Sequence, residues 1–582
     1  MKKILLLILA IALVSFIVAC AADEAAPAAD PTPAPADTPA PAETPEPEPP
    51  GEPDLADERL AALGLDENLR FLETQQISAL IWDRSDERIP VFSEGYWARW
   101  IQAEILEVHN IELEWVQTPR WDQEEVMSML LAGGDAPDVG FIFGMTTVQT
   151  FADMGGIMDL TPLLEEYRDL LPNMYDLLTV ENVYWNRNPE YPHSNYAIAG
   201  RLIQDGRINT FVREDWLNTL NIAPPTTLQE FEDMLIAFRD NAEELLGADA
   251  NMMVPYMITS DVGWTADHVI TSFIPDNISE REWFRYGFCD RRFTQPNIKE
   301  GVRVLNRWWN DGLIMRDFAE YEAADTIYAD LVRMGVVGAF TQNWDMPFRG
   351  GGDRWITDMQ ENVGPEANYM VVTPFPNDSG VPVFHMPAPI DRMIFFPATN
   401  QNPLASLLYL DFMSRLEVRN TLAFGIEGVH HIRHANGAIE TLPQDYVDGD
   451  QIIVSLRNFD VSLMVNGVDL GDDVLSGLTI GYGYPGIDPA QVLAAREAGL
   501  THGRWMRRVQ HRPIAAEGIF GGPLNDIRDT VLNQSIVAPV DQFDAVFDAG
   551  MQNYMTAGGQ AIIDERDQAW VEMFGDVPNM PD

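Results

Sequence analysis

Between Ile77 and Phe143 the chain alternates between two apolar periods, and this alternation restricts its fold more than any other feature. Ile77–Trp82 is a short apolar run of strand length. Over Glu94–His109, Trp97, Ile101, Ile105 and Val108 recur at helical spacing. Ile111, Leu113 and Trp115 then alternate with Glu112 and Glu114, the period of a strand. Asp122–Ala132 reads as a second helix, with Val126, Met129 and Leu130 inward and Gly133 as its stop. Val139–Phe143 follows as a strand after the turn Asp135-Ala136-Pro137-Asp138. Strand, helix, strand, helix, strand predicts an α/β fold with parallel pairing and right-handed crossovers. Ligands in such sheets sit beyond the carboxyl ends of the strands, which makes Trp82, Asp83, Phe143 and Met145 candidate pocket residues.

The N-terminus reads as an address. Lys2 and Lys3 precede an apolar run of 15 residues, Ile4–Val18, which is shorter than the ~20 residues a membrane-spanning helix needs. Ile17-Val18-Ala19-Cys20 resembles the bacterial lipoprotein box. That resemblance implies that residues 1–19 are a signal peptide and that Cys20 becomes a lipidated N-terminus. Residues 21–54 hold 11 prolines in 34 positions among Ala, Thr, Asp and Glu, a composition that cannot bury a core. Residues 20–54 are therefore expected to be a lipidated cysteine and a Pro-rich acidic linker. At ~3.1 Å per residue the linker could reach on the order of 100 Å. No later stretch is apolar for 18 residues, so nothing else is expected to cross a membrane.

Charge and motifs exclude several function classes. Asp plus Glu is 90 and Lys plus Arg is 37, a formal net charge of -53 over 582 residues. Such a chain repels phosphate backbones, so nucleic acid is not an expected partner. Two cysteines, Cys20 and Cys289, make neither a disulfide scaffold nor a zinc cluster. His430, His431 and His434 near Asp445 and Asp448 read as loop histidines, and Asp448-Gly449-Asp450 is too short for an EF-hand loop. No metal and no cofactor is expected. The chain has no Walker motif, no Gly-x-Ser-x-Gly elbow and no His-Glu-x-x-His helix.

An ordered set of further segments carries a family resemblance. These are LLAGGDAPDV (Leu130–Val139), FADMGGIMDLTPLLEEY (Phe151–Tyr167), REDWLNTLNIAPPTTLQEFEDMLIAF (Arg213–Phe238), IKEGVRVLNRWWNDGLI (Ile298–Ile314), VVGAFTQNW (Val336–Trp344) and FGIEGVHH (Phe424–His431). In this order, with C-terminal helices around Asp541–Phe574, they resemble the extracellular solute-binding proteins of bacterial ABC importers. The similarity is to the maltose-binding-protein-like group, and within it to the long lipoproteins that bind oligosaccharides. It implies two α/β lobes of periplasmic-binding-protein type, with a hinge and a ligand cleft between them. Lobe one is expected at 70–203 plus 385–432, and lobe two at 204–384 plus 433–582, with 433–535 fitting the pattern least. The implied function is capture of a small-molecule ligand, an oligosaccharide above all, and delivery to the membrane subunits of an ABC permease. The implied place is the extracellular face of the cell membrane, held there by lipid, and no enzymatic activity is expected.

A sugar presents C–H faces to stacking rings and hydroxyl rims to polar groups. Trp344 with Asn343, after the apolar run VVGAF, is the leading candidate. Trp82, Asp83 and Arg84 end the first strand, Trp264 follows Asp261-Val262-Gly263, and Tyr482 and Tyr484 lie in a Gly-rich aromatic loop. Core packing is the competing role for each ring. Arg213, Asp215 and Trp216 read as support for a strand-to-helix junction, Asp135 and Asp138 as turn caps, and Glu427 as a hinge or ligand residue. Two other functions stay open from sequence. One is a secreted glycoside hydrolase or lyase, since 90 acidic residues always allow a suitable pair. The other is a ligand-sensing module for a membrane receptor.

Overall fold

The computed structural model describes residues 55–580 apart from 84–91, 121, 179–194, 204–205, 288–291, 323–325, 350–353, 378, 381–383, 387–388, 443–445, 448–449, 452–460 and 505–513. Cys20, Arg84 and Cys289 lie outside the described residues. Ala56–Asp582 forms one compact unit, and two sheets organise it.

The alternating segment folds as its periods predict. Strand β1 (Gln75–Asp83) pairs in parallel with β2 (Ile111–Pro119), from Gln75 opposite Ile111 to Asp83 opposite Pro119. The helix Tyr96–His109 connects them. Strand β3 (Gly140–Ile142) comes alongside β1 through a parallel bridge from Ala79 to Val139. The intervening helix is Gln123–Gly133, closed by Gly134 in the left-handed conformation. Its buried face differs from the expected one: Gln123 and Met127 are buried, while Met129 is 59% exposed. The buried face is rotated part of the way around the helix, toward 123, 127 and 130, because Gln123 has a buried partner described below. In the first helix Val108 is only partly buried and His109 takes the inward place. His109 Nδ1 donates to the Leu69 carbonyl at 2.7 Å and its Nε2 accepts from Arg415 Nη2 at 2.9 Å.

The first sheet continues beyond β3 with β9 (Ile390–Phe395), antiparallel to both β3 and β4 (Ile198–Leu202). Strand β12 (Val465–Asn466) then adds in parallel to β4. The second sheet runs in the order β6 (Val254–Met257), β7 (Val337–Asn343), β5 (Ile208–Arg213), β8 (Tyr369–Val372). Its β6–β7 pair is parallel and its other pairs are antiparallel.

Each sheet has its own core. One cluster joins residues of 65–199 with 390–422 and 461–465, and two others join residues from 211 to 375 with later segments. The chain passes between them at four places: between Leu202 and Ile208, between Phe375 and Ile390, at Leu422–Phe424, and between Val465 and Val468. The stretch Val461–Asn466 departs from the expected division, which put everything after 432 in lobe two. Val465 lies opposite Arg201 and Asn466 opposite Leu202, so this stretch completes the first sheet. Its run Val461, Leu463, Met464, Val465 is buried there.

Two local devices fix the second core. Thr227 caps the helix Leu228–Asp240 by accepting from Glu230 N at 3.2 Å. Glu230 reaches back to Thr226 N at 2.8 Å, one residue before the expected partner. Arg213, buried, forks onto Asp215 at 2.8 and 2.7 Å, and its guanidinium lies 4.5 Å from the Trp216 ring centroid. It also donates to the Gly335 carbonyl, so this motif braces the strand-to-helix junction.

Candidate functional site

The carboxyl ends of the strands are where an α/β sheet presents ligand-binding groups, and in the second lobe they gather a compact polar–aromatic group. Strand β7 ends in Gln342-Asn343, followed by Trp344. Trp264 stands in the short helix Val262–Thr265 that follows β6. Its indole Nε1 donates to Gln342 Oε1 at 2.5 Å, and that oxygen also accepts from Asn343 N at 2.9 Å. Arg207 immediately precedes β5, which is antiparallel to β7, so it lies at the same end. Its guanidinium sits over the Trp264 ring, 5.2 Å from the centroid. Trp344 N donates to the Arg207 carbonyl at 3.2 Å. Arg207, Trp264, Asn343 and Trp344 are all partly exposed. Thus Trp344, Asn343 and Trp264 come together as one group, joined by Gln342 and Arg207, which sequence reasoning missed. A Cβ on Gly206 would stand 2.9 Å from Trp344 Cγ, and Gly206 has φ +133, so glycine is needed there twice over.

Beneath this group lies a buried chain of hydroxyls. Tyr256 OH is 2.8 Å from Thr341 Oγ1, Thr341 Oγ1 is 2.9 Å from Thr210 Oγ1, and Thr210 Oγ1 is 2.9 Å from His268 Nδ1. Thr341 neighbours Gln342, so the network ties β5 to β7 directly under this polar–aromatic group. Burial above all pulls the His268 pKa down to about 4, aided by Arg292 and only partly opposed by Asp267 and a bond to the Ile208 backbone. The imidazole is neutral, and its Nδ1 accepts from the Thr210 hydroxyl. Asp267 and Arg292 form a buried ion pair next to it.

The first lobe corrects one expectation. Trp82 is fully buried and offers no face to a ligand. Its Nε1 donates to Gln123 Oε1 at 2.8 Å, and Gln123 Nε2 donates on to the Phe141 carbonyl. The Phe141 ring meets it edge-on at 4.9 Å. The guanidinium groups of Arg120 and Arg392 lie over its ring at 5.0 and 5.1 Å. Arg392 is itself buried and donates to the Ser462 carbonyl at 3.0 Å, which draws β12 onto the sheet. The exposed ring at this strand end is Phe143, 42% exposed and 5.2 Å from Trp82. Asp83 is partly exposed, and its carbonyl accepts from Arg120 N at 3.0 Å.

Tyr484 also belongs to the core. It is 6% exposed, its hydroxyl donates to Asp345 Oδ2 at 3.0 Å, and its ring meets Trp344 edge-on at 6.4 Å. Burial raises the Asp345 pKa, but Arg349 and the Tyr484 hydroxyl outweigh it and hold the carboxyl below its ordinary value. Tyr484 therefore supports Trp344 from behind. Tyr482, two residues earlier, stacks on His434 at 4.5 Å, and His434 Nε2 pairs with Glu440 at 2.8 Å. It packs on the hairpin of β10 (His431–Arg433) and β11 (Ile439–Thr441). His430 accepts from Ile426 N at 3.0 Å and His431 donates to the Phe424 carbonyl at 3.0 Å, both structural roles. Among the described residues no group of three or more His, Cys, Asp or Glu side chains could hold a metal ion. Asp138 accepts from Ser78 N at 2.8 Å and Ser78 Oγ at 3.0 Å, which makes it a turn cap.

No family model matches the chain. It is 20% identical over 479 residues to the polygalacturonan/rhamnogalacturonan-binding protein YtcQ of Bacillus subtilis (strain 168), covering 80% of this chain and 87% of that one. It is 24% identical over 229 residues to lipoprotein LipO of the same organism, a match spanning 37% of this chain and 41% of that protein. Among solved structures it resembles the alginate-binding protein AlgQ2 without calcium ion, with TM-score 0.60, 15% identity, and coverage of 87% of this chain and 99% of that one. It also resembles an HMO binding, ABC-transporter associated solute binding protein from Bifidobacterium longum infantis ATCC 15697, with TM-score 0.58, 15% identity, and 86% and 99% coverage. These likenesses and the two sheets with their crossing segments agree: the chain has the periplasmic-binding-protein-like fold of the ABC-transporter solute-binding proteins.

Proposed function

We propose that this chain captures an oligosaccharide outside the cell and delivers it to the membrane subunits of an ABC transporter. The observation that carries the reading is the group Trp264, Gln342, Asn343 and Trp344 at the carboxyl end of β7, beside a segment that crosses between the lobes. It offers an aromatic face and oriented amides, the two kinds of contact a sugar needs. Phe143 supplies an apolar face at the strand ends of the first lobe. The relatives favour the same ligand class, since their names specify polygalacturonan or rhamnogalacturonan, alginate and HMO. Those relatives are binding proteins, and we read this chain likewise as a receptor without turnover. A lipid on Cys20 and the Pro-rich linker would tether it to the extracellular face of the membrane, in keeping with its likeness to a lipoprotein.

The experiment is direct. The full chain, purified in detergent, is mixed with a panel of neutral and acidic oligosaccharides, and binding is read by calorimetry and products by mass. Saturable binding with unchanged masses is expected. Reproducible cleavage, abolished by one Asp or Glu substitution, would replace this reading with a hydrolase or lyase.

A further inference from the structure

Three charged side chains meet where the chain passes between the lobes. Asp469 stands just past the crossing between Val465 and Val468, on the second-lobe side. Its own lobe holds it there. Val468 packs in a second-lobe core, Gly471 N donates to Asp469 Oδ1 at 2.9 Å, and Leu470 N donates to Ser476 Oγ at 3.0 Å. The two cations facing it belong to the first lobe. Arg201 lies on β4 and donates to the Leu177 carbonyl at 3.3 Å. Arg419 lies on the helix Leu416–Phe424, and its Nε donates to the Ser414 carbonyl at 3.0 Å. Leu177, Val418 and Leu422 are all in the first-lobe core. Asp469 Oδ2 accepts from Arg201 Nη1 at 3.2 Å and lies 3.5 Å from Arg419 Nη1, which also donates to the Asp469 carbonyl at 3.4 Å. One carboxylate of the second lobe is thus clasped by two guanidinium groups of the first.

The backbone beside the clasp is paired up to one point. Arg201 N donates to the Met464 carbonyl at 2.9 Å and Ile203 N to the Asn466 carbonyl at 2.8 Å, which locks β12 to β4. Gly467 comes next, with φ +114, and a Cβ there would stand 2.6 Å from Ile203 Cβ. Only glycine fits this turn, and two residues on the chain delivers Asp469 to the arginines. Rotation of one lobe against the other at this point carries Asp469 past Arg201 and Arg419. Bonds already at 3.2 to 3.5 Å do not survive a further shift of ~1 Å, so the clasp is made in some lobe arrangements and lost in others.

Resting on the reading of this chain as an oligosaccharide receptor, we propose that Arg201, Arg419 and Asp469 form an interlobe latch. It biases the arrangement of the lobes and so tunes affinity without touching the ligand. A ligand held by Trp344 on one lobe and Phe143 on the other favours some arrangements over others, and any contact that differs between them is linked to binding. Salt reaches this latch, because the side chains of Arg201 and Asp469 are 35% and 20% exposed. Screening by salt therefore acts in the same direction as removing the charge of Asp469.

The test uses the full chain in detergent, with donor and acceptor dyes coupled through unnatural amino acids at the exposed positions Ser128 and Gln229, one on each lobe. Without sugar, Asp469→Asn should shift the distribution of interlobe distances. Raising salt from 0.05 to 0.5 M (about 14 to 4 Å in screening length) should move the wild type the same way and leave the variant unmoved. Calorimetry with the neutral oligosaccharides of the panel should show an affinity change of about 3- to 10-fold in Asp469→Asn. That is somewhat more than one exposed ion pair gives, because the Arg419 side chain is only 10% exposed. Salt should move wild-type affinity in the same direction as the substitution. Arg201→Gln, at the more exposed end of the clasp, repeats the comparison with less risk to folding, and thermal melts check both variants. Arg59→Gln breaks an exposed pair with Asp169 inside the first lobe and should change neither distances nor affinity. Unchanged distances and affinity in folded Asp469→Asn and Arg201→Gln would overturn the latch and leave the oligosaccharide reading standing. A wild type that binds no oligosaccharide, with distances that still respond to Asp469→Asn, would sink that reading and leave the latch.

Discussion

His268 should make this protein lose stability as pH falls, by an amount the structure specifies. Its ring is buried, bonds Thr210 through Nδ1 and contacts the Ile208 backbone. Burial chiefly, and the charge of Arg292, bring its pKa to about 4, against an ordinary 6.5. Below ~6.5 the unfolded chain takes up a proton that the folded chain refuses until about pH 4. The unfolded state therefore binds more protons throughout that window, and acid favours it. Each pH unit is worth ~1.36 kcal/mol, so the span comes to about 3 kcal/mol, fully present above 6.5 and gone below 4. The hydroxyl chain does not change this result. A protonated Nδ1 would donate to Thr210, and Thr210, Thr341 and Tyr256 could each turn to donate onward, ending on the Thr265 carbonyl 3.2 Å from Tyr256 OH. The cost is the desolvated charge itself. The measurement is urea unfolding of wild type and His268→Gln from pH 7.5 to 4. Carboxylates, and His109, which burial shifts in the same direction, contribute equally to both proteins and cancel in the difference. The wild-type advantage should shrink by about 3 kcal/mol across the window. A difference independent of pH, or a His268 resonance titrating near 6.5, would refute the argument.

Trp344→Ala should remove a stacking face worth roughly 1–3 kcal/mol, or about a 5- to 150-fold loss of oligosaccharide affinity by calorimetry, with the fold retained. Gly206→Ala should destabilise by about 1–3 kcal/mol and disturb the Trp344 fluorescence, because the new Cβ needs an unfavourable φ and the space Trp344 occupies. Trp82→Phe should cost roughly 1–3 kcal/mol in a denaturant melt, since it leaves the buried Gln123 oxygen without its donor. Phe143→Ala should do the reverse: the melt stays within about 0.5 kcal/mol while affinity falls, because this ring is exposed.

The pattern of the sheets was legible in the sequence because apolar period follows from backbone geometry. The first three strands and two helices stand, within a few residues, where an apolar run, the alternation of 111–115, the turn before Val139 and the helical period put them. Exceptions arose where a polar residue has a buried partner. Gln123 turned its helix inward because it bridges Trp82 to the Phe141 carbonyl, and His109 replaced Val108 because Leu69 and Arg415 satisfy both its nitrogens. No local window of sequence contains those partners. Strand β12 was hidden for the same reason: two residues pair with β4, some 260 positions away, and the period of so short a strand carries no signal.

The site was legible as residue types but not as roles. Strand-end position singled out Trp82, Asp83, Phe143 and Met145, yet a strand end has an inner and an outer side. The side chain of Trp82 is buried and that of Phe143 is 42% exposed, although one lies near the end of β1 and the other just past the end of β3. A buried indole must satisfy its Nε1–H. Gln123 does this for Trp82 and Gln342 for Trp264, and each bond fixes the plane of a ring with an arginine over it. The orientation of both indoles is therefore set one layer below the strand ends, by glutamines that no local window of sequence pairs with them.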